Sequence, residues 1–301
     1  MLQRISFNIG VFLLYLLSFL PMSVLKILGN GLGILGYHLV KSRRRVGLIN
    51  LSLCFPEMDQ SQKEQIIRNH FKCLLTSGLE YSKVFFASKA EIQNIVKLKN
   101  EHLVLEHYSK RPVILLCPHF VGLDLAAIRL STDICGISIY SLQKNKYING
   151  RLKQARTRFL INKDNAIFSR QEGLRPALKE LKKTNYVFYY LPDQDFGEKE
   201  SLYVPFFAHP TCATVKALPG IVKLCNAVVV PTVVYRQGNG YVMEFFEAWD
   251  NYPSGDLEQD VIRMNKYVEK VVLEHMDEYF WLHKRFKTQP DGRHLLYTHR
   301  L

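Results

Sequence analysis

The sequence has few cysteines, and none of them occurs in a metal-binding pattern. The six cysteines include no C-x-x-C pair and no zinc-type spacing with histidine. This excludes the common zinc modules and predicts free, mostly buried thiols, as in a protein of a reducing compartment. We therefore expect neither a metal ion nor another cofactor.

Acidic residues are also scarce, and repeats, low-complexity tracts and linkers are missing. Asp and Glu total 27 against 40 Lys and Arg, which gives a net charge of +13. This excess predicts a polyanionic partner, which is nucleic acid, an anionic membrane surface or an acidic protein; a merely basic, solvated surface is the alternative. No RNP, helix-turn-helix or other nucleic-acid module occurs, so we expect no nucleic acid partner.

A membrane anchor is predicted at residues 1–40. The segment Ile5–Leu25 carries no charge and is long enough to cross a hydrocarbon core, which needs about 20 residues. Pro21 lies near its end, and a second charge-free stretch covers Ile27–Val40. The basic residues that follow predict that the rest of the chain stays cytoplasmic. A cleaved signal peptide and a helix lying in the membrane interface are the alternatives.

An α/β fold is predicted for residues 41–301, with a mostly parallel central sheet flanked by helices. Residues 61–86 are typical of a helix, with Ser61 and Glu64 as its capping box. Further helical patterns cover about 147–160, 171–183, 212–225 and 256–279. Between them lie apolar runs that predict strands, and such alternation is typical of this fold class. The predicted strands are Val113–Leu116, Ile137–Tyr140, Tyr186–Leu191, Val228–Val234 and Tyr241–Phe246.

The segment Pro118–Asp124 carries the clearest signal for chemistry. His119 follows a predicted strand, and Asp124 comes five positions later at the predicted start of a helix. A carboxylate there can accept a hydrogen bond from one imidazole N–H, fix the tautomer and leave the other nitrogen as a base. A histidine with a purely structural role is the alternative. The pair lacks a nucleophile on the protein, so the nucleophile is expected to be the substrate's own hydroxyl.

Three more signals follow that pair along the chain. They are an arginine after an apolar pair in Ile167–Arg170, a strand-end acidic block in Tyr189–Gly197, and a V-P block in Val229–Pro231. In such sheets ligands gather at the carboxyl ends of strands, so His119 and the acidic block are expected on one rim. The ordered set resembles the lysophospholipid acyltransferase superfamily.

Further blocks narrow the resemblance to the bacterial lipid A late acyltransferases of the lauroyl and myristoyl type. These blocks are Asn50–Glu57, Val204–Phe207 and Trp281–Thr288, so the resemblance covers nearly the whole chain. Two departures occur. Many members carry Glu where this chain has Asp124, and Gln289 replaces a second arginine of the terminal block, so no anion-binding role is assigned at 289.

The resemblance implies a function. Members transfer a fatty acyl chain from acyl carrier protein to a hydroxyl on an acyl chain of a lipid A precursor, a late step of lipopolysaccharide synthesis at the inner membrane. His119 would be the base and Asp124 its orienting carboxylate. No G-x-S-x-G elbow occurs, so direct transfer without an acyl-enzyme is expected. A glycerolipid (lysophosphatidate-type) acyltransferase and a membrane-tethered, non-enzymatic polyanion binder are the alternatives.

Substrate-binding candidates lie in the later blocks. Arg170 is the first candidate for an acceptor phosphate or sugar, because a guanidinium fork suits phosphate. Arg175 is a second candidate. Asp193 and Asp195 are expected to hold Arg170 or an acceptor hydroxyl, and a polar turn that closes the strand is the equal alternative.

Two basic segments are candidate contact surfaces. Lys284 and Arg285 are candidates for lipid headgroup or phosphate contact, with a solvated strip as the alternative. The densest basic stretch is a candidate docking face for the carrier protein, with a solvated helix face as the alternative. It comprises Lys144, Lys146, Arg151, Lys153, Arg156 and Arg158.

Overall fold

A seven-stranded, mostly parallel sheet forms the centre of the protein in this computed structural model, which describes residues 2–142, 144–163, 166–291 and 295–297. The strands are β1 (Val96–Lys99), β2 (Val113–Leu116), β3 (Gly136–Tyr140), β4 (Ile167–Ser169), β5 (Val187–Tyr190), β6 (Ser201–Phe206), β7 (His209–Val215), β8 (Val228–Gln237) and β9 (Gly240–Phe245). The sheet order is β1-β9-β8-β2-β5-β3-β4, and only β8 and β9 pair antiparallel. The strands β6 and β7 form a separate hairpin.

Helices cover both faces of this sheet. They are α1 (Leu2–Ser18), α2 (Met22–Leu39), α3 (Lys41–Cys54), α4 (Gln60–Phe86), α5 (Lys89–Ile95), α6 (His102–Leu105), α7 (Leu123–Leu130), α8 (Lys146–Thr157), α9 (Arg175–Thr184), α10 (Ala217–Cys225) and α11 (Leu257–Glu274). Alternate residues of the fully buried β2 enter two cores. One core includes residues of α4, α5, α7 and α8, and the other includes residues of α9, α10 and α11. The predicted fold class is confirmed.

The predicted long apolar segment Ile5–Leu25 is not one helix. It is divided between α1 and α2, because Pro21 has no N–H to continue a helix and instead precedes the first residue of α2. Among the described residues no single helix is long and apolar enough to cross a membrane. The pair α2 and α3 passes the same test of length and composition only together, with a bend of 88° between them.

The glycines of α2 allow it to pack closely on α4. A Cβ atom on Gly29 would lie 2.3 Å from the Thr76 hydroxyl, and one on Gly33 would lie 2.4 Å from the Lys72 Cα atom. The helix backbones therefore approach more closely than any larger residue would permit. The glycine-rich stretch that looked like part of an isolated anchor is thus a packing surface against the rest of the protein.

Several predicted boundaries are wrong. The helix α4 is capped by Asp59 with Gln62, two residues before the predicted cap at Ser61. The pattern at 212–225 is divided between β7 and α10, the last helix ends at Glu274, and β1, β4 and β6 were not predicted. Pro231 does not interrupt β8, because β2 pairs with β8 up to Pro231 and β9 pairs with it from Thr232 onward, so the missing N–H is not needed.

Candidate active site

The register of the central sheet brings His119 to Asp193. Leu116 of β2 pairs with Tyr190 of β5, and each of the two site residues lies three positions after its paired residue. The Nδ1 atom of His119 lies 2.7 Å from Asp193 Oδ1, and the backbone N–H of His119 donates to Oδ2 at 2.9 Å. The predicted common rim is confirmed, and the two residues are in direct contact.

Asp193 is suited to remain ionised. Burial, with only 5 % of the residue exposed, acts to raise the pKa of its carboxyl group, but the neighbouring His119 and its hydrogen bonds hold that pKa below its usual value. The charge of the buried Arg285 acts in the same direction. An ionised Asp193 accepts from Nδ1–H, which leaves Nε2 with its lone pair. Within the described part of the chain Nε2 has no hydrogen-bond partner, and the side chain is 21 % exposed.

Asp124 does not form the predicted hydrogen bond to His119. It is the second residue of α7, where α8 packs alongside, and its Oδ2 atom lies 3.0 Å from Nη2 of Arg156. The Nε atom of Arg156 donates to the Tyr81 hydroxyl at 3.1 Å. The orienting contact falls to Asp193 because strand pairing, rather than closeness in sequence, decides which carboxylate meets the imidazole ring.

Asp195 holds the C-terminal block in place. Its two carboxylate oxygens accept from the Thr288 hydroxyl and the Thr288 N–H, both at 2.8 Å, and from the Gly197 N–H at 2.9 Å. Its own N–H donates to Nε2 of His283 at 3.1 Å, and burial lowers the pKa of this imidazole to about 4, so it remains neutral. Asp195 is buried and has no contact with Arg170, so of the predicted alternatives the one that paired Asp195 with Arg170 is wrong.

Arg170 and Arg175 are both exposed. The guanidinium of Arg170 lies over the ring of Phe196, 3.9 Å from its centroid, in the same segment as Asp193. Arg170 is therefore held near the rim by its contact with Phe196, and not by an ion pair with Asp193 or Asp195 as predicted. Arg175 is the first residue of α9, and its side chain has no partner among the residues that the structure describes.

Arg285 does not lie at the surface, where a headgroup contact would need it. It is 3 % exposed, and its Nη atoms donate to the Ala213 carbonyl at 2.5 Å and to the Thr214 hydroxyl at 3.0 Å. Lys284 is exposed, with its Nζ atom 5.6 Å from the centroid of the Tyr297 ring. Of the two predicted contacts, only Lys284 remains available to a substrate.

The basic stretch at 144–158, which includes α8, is also divided. Arg156 pairs with Asp124, and Arg158 donates to backbone carbonyls at the end of α4. Lys144 and Lys146 are exposed. The predicted docking face is therefore smaller than the sequence suggested, because two of its cations turn into the protein.

An apolar groove of about 920 Å³ lies between α1, α4 and α8. Tyr81 forms part of the groove wall. Its hydroxyl accepts a hydrogen bond from Arg156, the partner of Asp124. The wall is formed by Ser6, Phe7, Gly10, Val11, Leu14, Tyr81, Phe85, Lys144, Asn145, Ile148 and Leu152. The sequence did not predict this groove, because its walls come from three distant segments. Among the described residues, no group of three or more His, Cys, Asp or Glu side chains could hold a metal ion.

Comparison with known proteins identifies the family. The family model for "Bacterial lipid A biosynthesis acyltransferase" matches residues 1–288. The chain therefore belongs to the bacterial lipid A biosynthesis acyltransferases, as the sequence motifs predicted.

Individual relatives agree with this assignment. The chain is 31 % identical over 287 residues to the lipid A biosynthesis lauroyltransferase of Escherichia coli, with 94 % of this chain and 92 % of that one covered. It is 32 % identical over 292 residues to a lipid A biosynthesis acyltransferase of Haemophilus influenzae, with 95 % and 92 % covered. It is also 28 % identical over 294 residues to the Escherichia coli palmitoleoyltransferase, with 97 % and 93 % covered.

One solved structure is a more distant match. The crystal structure of a 1-acyl-sn-glycerophosphate (LPA) acyltransferase from Thermotoga maritima is 16 % identical, with a TM-score of 0.37, and the match covers 81 % of this chain and 94 % of that one. A likeness at this level carries no argument about substrate.

Proposed function

We propose that the protein transfers a fatty acyl chain from an acyl carrier protein thioester to a hydroxyl on an acyl chain of a lipid A precursor. The observation that carries this proposal is the imidazole of His119, whose Nδ1 atom is held by the buried Asp193 and whose Nε2 atom is open. The family and the names of its relatives support the lipid A precursor as the acceptor.

His119 is the general base in this mechanism. Its Nε2 atom takes the proton of the acceptor hydroxyl as the hydroxyl oxygen attacks the thioester carbonyl. The tetrahedral intermediate then collapses, the C–S bond breaks, and the departing thiolate takes the proton from Nε2. Asp193 fixes the tautomer and stabilises the imidazolium that forms between these two steps.

The acyl group passes directly to the acceptor in this proposal. Cys117, two residues before His119, is fully buried, and burial raises the pKa of its thiol well above the usual value. A thiol that stays protonated is a poor nucleophile, which argues against an acyl-cysteine intermediate.

The apolar groove is the proposed site of the donor acyl chain. Its volume of about 920 Å³ lies within the range of small-molecule sites, roughly 300–1,000 Å³. Tyr81, at one side of the groove, connects it to Arg156 and Asp124. We assign Asp124 the role of holding Arg156 where the groove meets the catalytic rim. Arg170, Arg175 and Lys284 remain candidates for the phosphate and sugar groups of the acceptor, because all three are exposed cations.

Attachment to the inner membrane is proposed through α1 and α2 together, with the rest of the chain on the cytoplasmic side. Both helices expose large apolar side chains, as expected for helices that lie in the membrane interface. The cluster Lys41–Arg45 follows them and suits anionic headgroups. The most exposed apolar residues of this surface are Ile9, Phe12, Leu13, Phe19, Ile27, Leu35 and Leu39.

The first experiment compares membranes that contain the wild-type chain with membranes that contain His119→Ala. Both receive a mixed pool of acyl carrier protein thioesters and a lipid A precursor, and the products are read by mass. We expect a new ester with the wild-type chain and none with the variant at equal protein level. Undiminished transfer by His119→Ala would contradict the mechanism. Parallel reactions contain lysophosphatidate in place of the lipid A precursor, or coenzyme A thioesters in place of the carrier protein thioesters. Transfer only to lysophosphatidate would contradict the proposed acceptor, and transfer only from coenzyme A thioesters would contradict the proposed donor.

A further inference from the structure

A buried cluster of charged residues lies outside the site described so far. Glu80 of α4 is fully buried, and its two carboxylate oxygens accept from the guanidinium of Arg236 at 2.9 and 2.7 Å. The hydroxyl of Tyr241 donates to the same carboxylate at 2.6 Å. Because removing charges from water is costly, a buried ion pair is weak evidence for stability. Stability alone therefore does not explain why this ion pair is buried at this place in the fold.

The cluster lies directly behind the loop that carries His119. A Cβ atom on Gly122 would lie 2.4 Å from the ring of Tyr241, so the loop backbone rests against that ring. Glu278 contacts the same loop. Its carboxylate accepts from the backbone N–H of Arg236, and the backbone carbonyl of Glu278 accepts from the Val121 N–H at 3.1 Å. The segment Val121–Gly122, two and three residues after His119, thus contacts Tyr241 and Glu278, and both of these residues are hydrogen-bonded to Arg236.

Helix α4 contacts this segment a second time. The hydroxyl of Ser77 donates to the Val121 carbonyl at 2.6 Å. Ser77 and Glu80 are three residues apart, so they lie on the same face of α4. Ser77 holds the loop directly, and Glu80 holds it through the ring of Tyr241.

We propose that Ser77 and Glu80 are positioning residues for the base, because they fix the backbone after His119 and so the direction in which its imidazole is presented. This inference rests on the proposed function, in which His119 takes the proton. Asp193 holds the Nδ1 atom and the backbone N–H of His119, and the Phe280 N–H donates to the His119 carbonyl. Helix α4 holds the backbone two and three residues later, at Val121 and Gly122. A displacement of about 1 Å at such a group can cost about 100-fold in rate.

The test uses the full chain in membranes and compares Ser77→Ala, Ser77→Thr and Ser82→Ala. Ser82 is a matched control, because it is a buried serine of the same helix whose hydroxyl has no hydrogen-bond partner in the described part of the chain. We expect Ser77→Ala to lower kcat by about tenfold or more with KM for both substrates within about twofold. Ser77→Thr, which keeps the hydroxyl, should recover most of the rate, and Ser82→Ala should match the wild type.

A second pair of variants examines the cluster. Glu80→Gln keeps the shape of the side chain but removes its charge, and Tyr241→Phe keeps the ring against Gly122 but removes the hydroxyl. We expect both to lower kcat more than they raise KM, with Glu80→Gln the more severe. Melting temperatures are measured alongside, so that loss of folded protein is counted separately from loss of turnover.

Each outcome has a definite meaning. Equal losses in Ser77→Ala and Ser82→Ala, a loss no larger than the loss of folded protein, or full activity in Ser77→Ala would overturn the positioning role. Wild-type and His119→Ala chains are assayed in the same series. An active wild type and an inactive His119→Ala beside a fully active Ser77→Ala would remove only this inference, whereas an inactive wild type would overturn the proposed function and the inference together.

Discussion

Individual side chains at the rim have divided roles that their sequence positions do not suggest. Asp193 and Asp195 are two residues apart, yet one contacts the imidazole of His119 and the other fastens Thr288. Asp124, the nearest carboxylate along the chain, holds Arg156 instead. Asp193 and Asp195 are buried, and each is paired with the donors next to it because an unpaired buried charge is costly.

The first prediction distinguishes the role of Asp193 from the role of Asp124. Asp193→Asn removes the acceptor for Nδ1–H, so the imidazole can adopt the unproductive tautomer, and we expect kcat to fall by a factor on the order of 10² to 10⁴. Asp124→Asn should instead be coupled to Arg156→Gln, because both break the same ion pair. Steady-state kinetics of the three single variants and the double variant measure this. Full activity in Asp193→Asn, or additive losses at 124 and 156, would contradict the assignment.

The second prediction concerns Glu278. Burial raises the pKa of its carboxyl group from 4.5 to about 7, and the hydrogen bonds from the Arg236 N–H offset this only in part. Between about pH 4.5 and pH 7 the folded protein therefore keeps a proton on Glu278 that the unfolded chain has released. This contribution to stability is complete below about pH 4.5 and is lost as the pH rises through about 7.

Glu278→Gln does not titrate, so its stability relative to the wild type should increase between pH 5 and pH 8. The increase should not exceed about 3 kcal/mol, at 1.36 kcal/mol for each pKa unit. Denaturant unfolding of both chains at the two pH values measures the difference, in which the other titrating groups cancel. The same wild-type-to-variant difference at both pH values would show that Glu278 is ionised throughout.

At the scale of the elements, helices support the loops that carry His119 and Asp193 and line the groove beside them. Helix α4 supports the loop of His119, lines the apolar groove and carries α2 on its surface. Helix α8 lines the groove with Ile148 and Leu152 and supplies Arg156, which lies four residues after Leu152 on the same face. Rigid elements place functional groups more reliably than loops do, which suits a reaction that depends on aligned donor and acceptor groups.

The third prediction concerns chain length. A Cβ atom on Gly10 of α1 would meet no atom within 4 Å, and Gly10 lines the groove, so Gly10→Phe starts a large side chain in open space at the groove wall. We expect the products from an equimolar pool of acyl donors to shift toward shorter transferred chains. Gly31→Phe is the matched control, because Gly31 has equally open surroundings on α2 but does not line the groove. An unchanged product distribution for Gly10→Phe would exclude the groove as the donor site.

For the whole molecule, the apolar surface of α1 and α2 and the positive net charge of +13 point to the same environment. An anionic membrane attracts the charge and accepts the apolar side chains. The groove lies along α1, so a chain bound there would lie next to this surface.

The fourth prediction tests this attachment. Phe19 is 69 % exposed and Ile27 is 71 % exposed, so a charge at either position disturbs little inside the protein. Phe19→Asp with Ile27→Asp should reduce flotation with vesicles of anionic lipid by about tenfold, because the apolar contact is lost and a repelled charge is added. The matched control is Ile161→Asp, at a position that is 93 % exposed and lies outside α1 and α2. Equal flotation of both variants would show that α1 and α2 do not attach the protein.

The sequence by itself determined the fold class, the family and the rim. Apolar runs such as Val113–Leu116 predict buried parallel strands, because both faces of such a strand must be covered. Strand ends followed by His119 and by the Asp193 block predict one edge, because parallel strands end on the same side of a sheet. These features depend on local pattern, and local pattern is what a sequence displays.

Only the tertiary structure decided the partners. Asp193 reaches His119 across 74 positions of the chain through the register of β2 and β5. Glu80 and Arg236 are separated by 156 positions, and neither carries a local signal that it belongs to a buried ion pair. A one-residue shift in strand pairing, or a different packing of α4, would assign other donors to the same carboxylates. The physical reason is that hydrogen bonds and ion pairs are chosen by distance in space, which the chain sets only when its elements have packed.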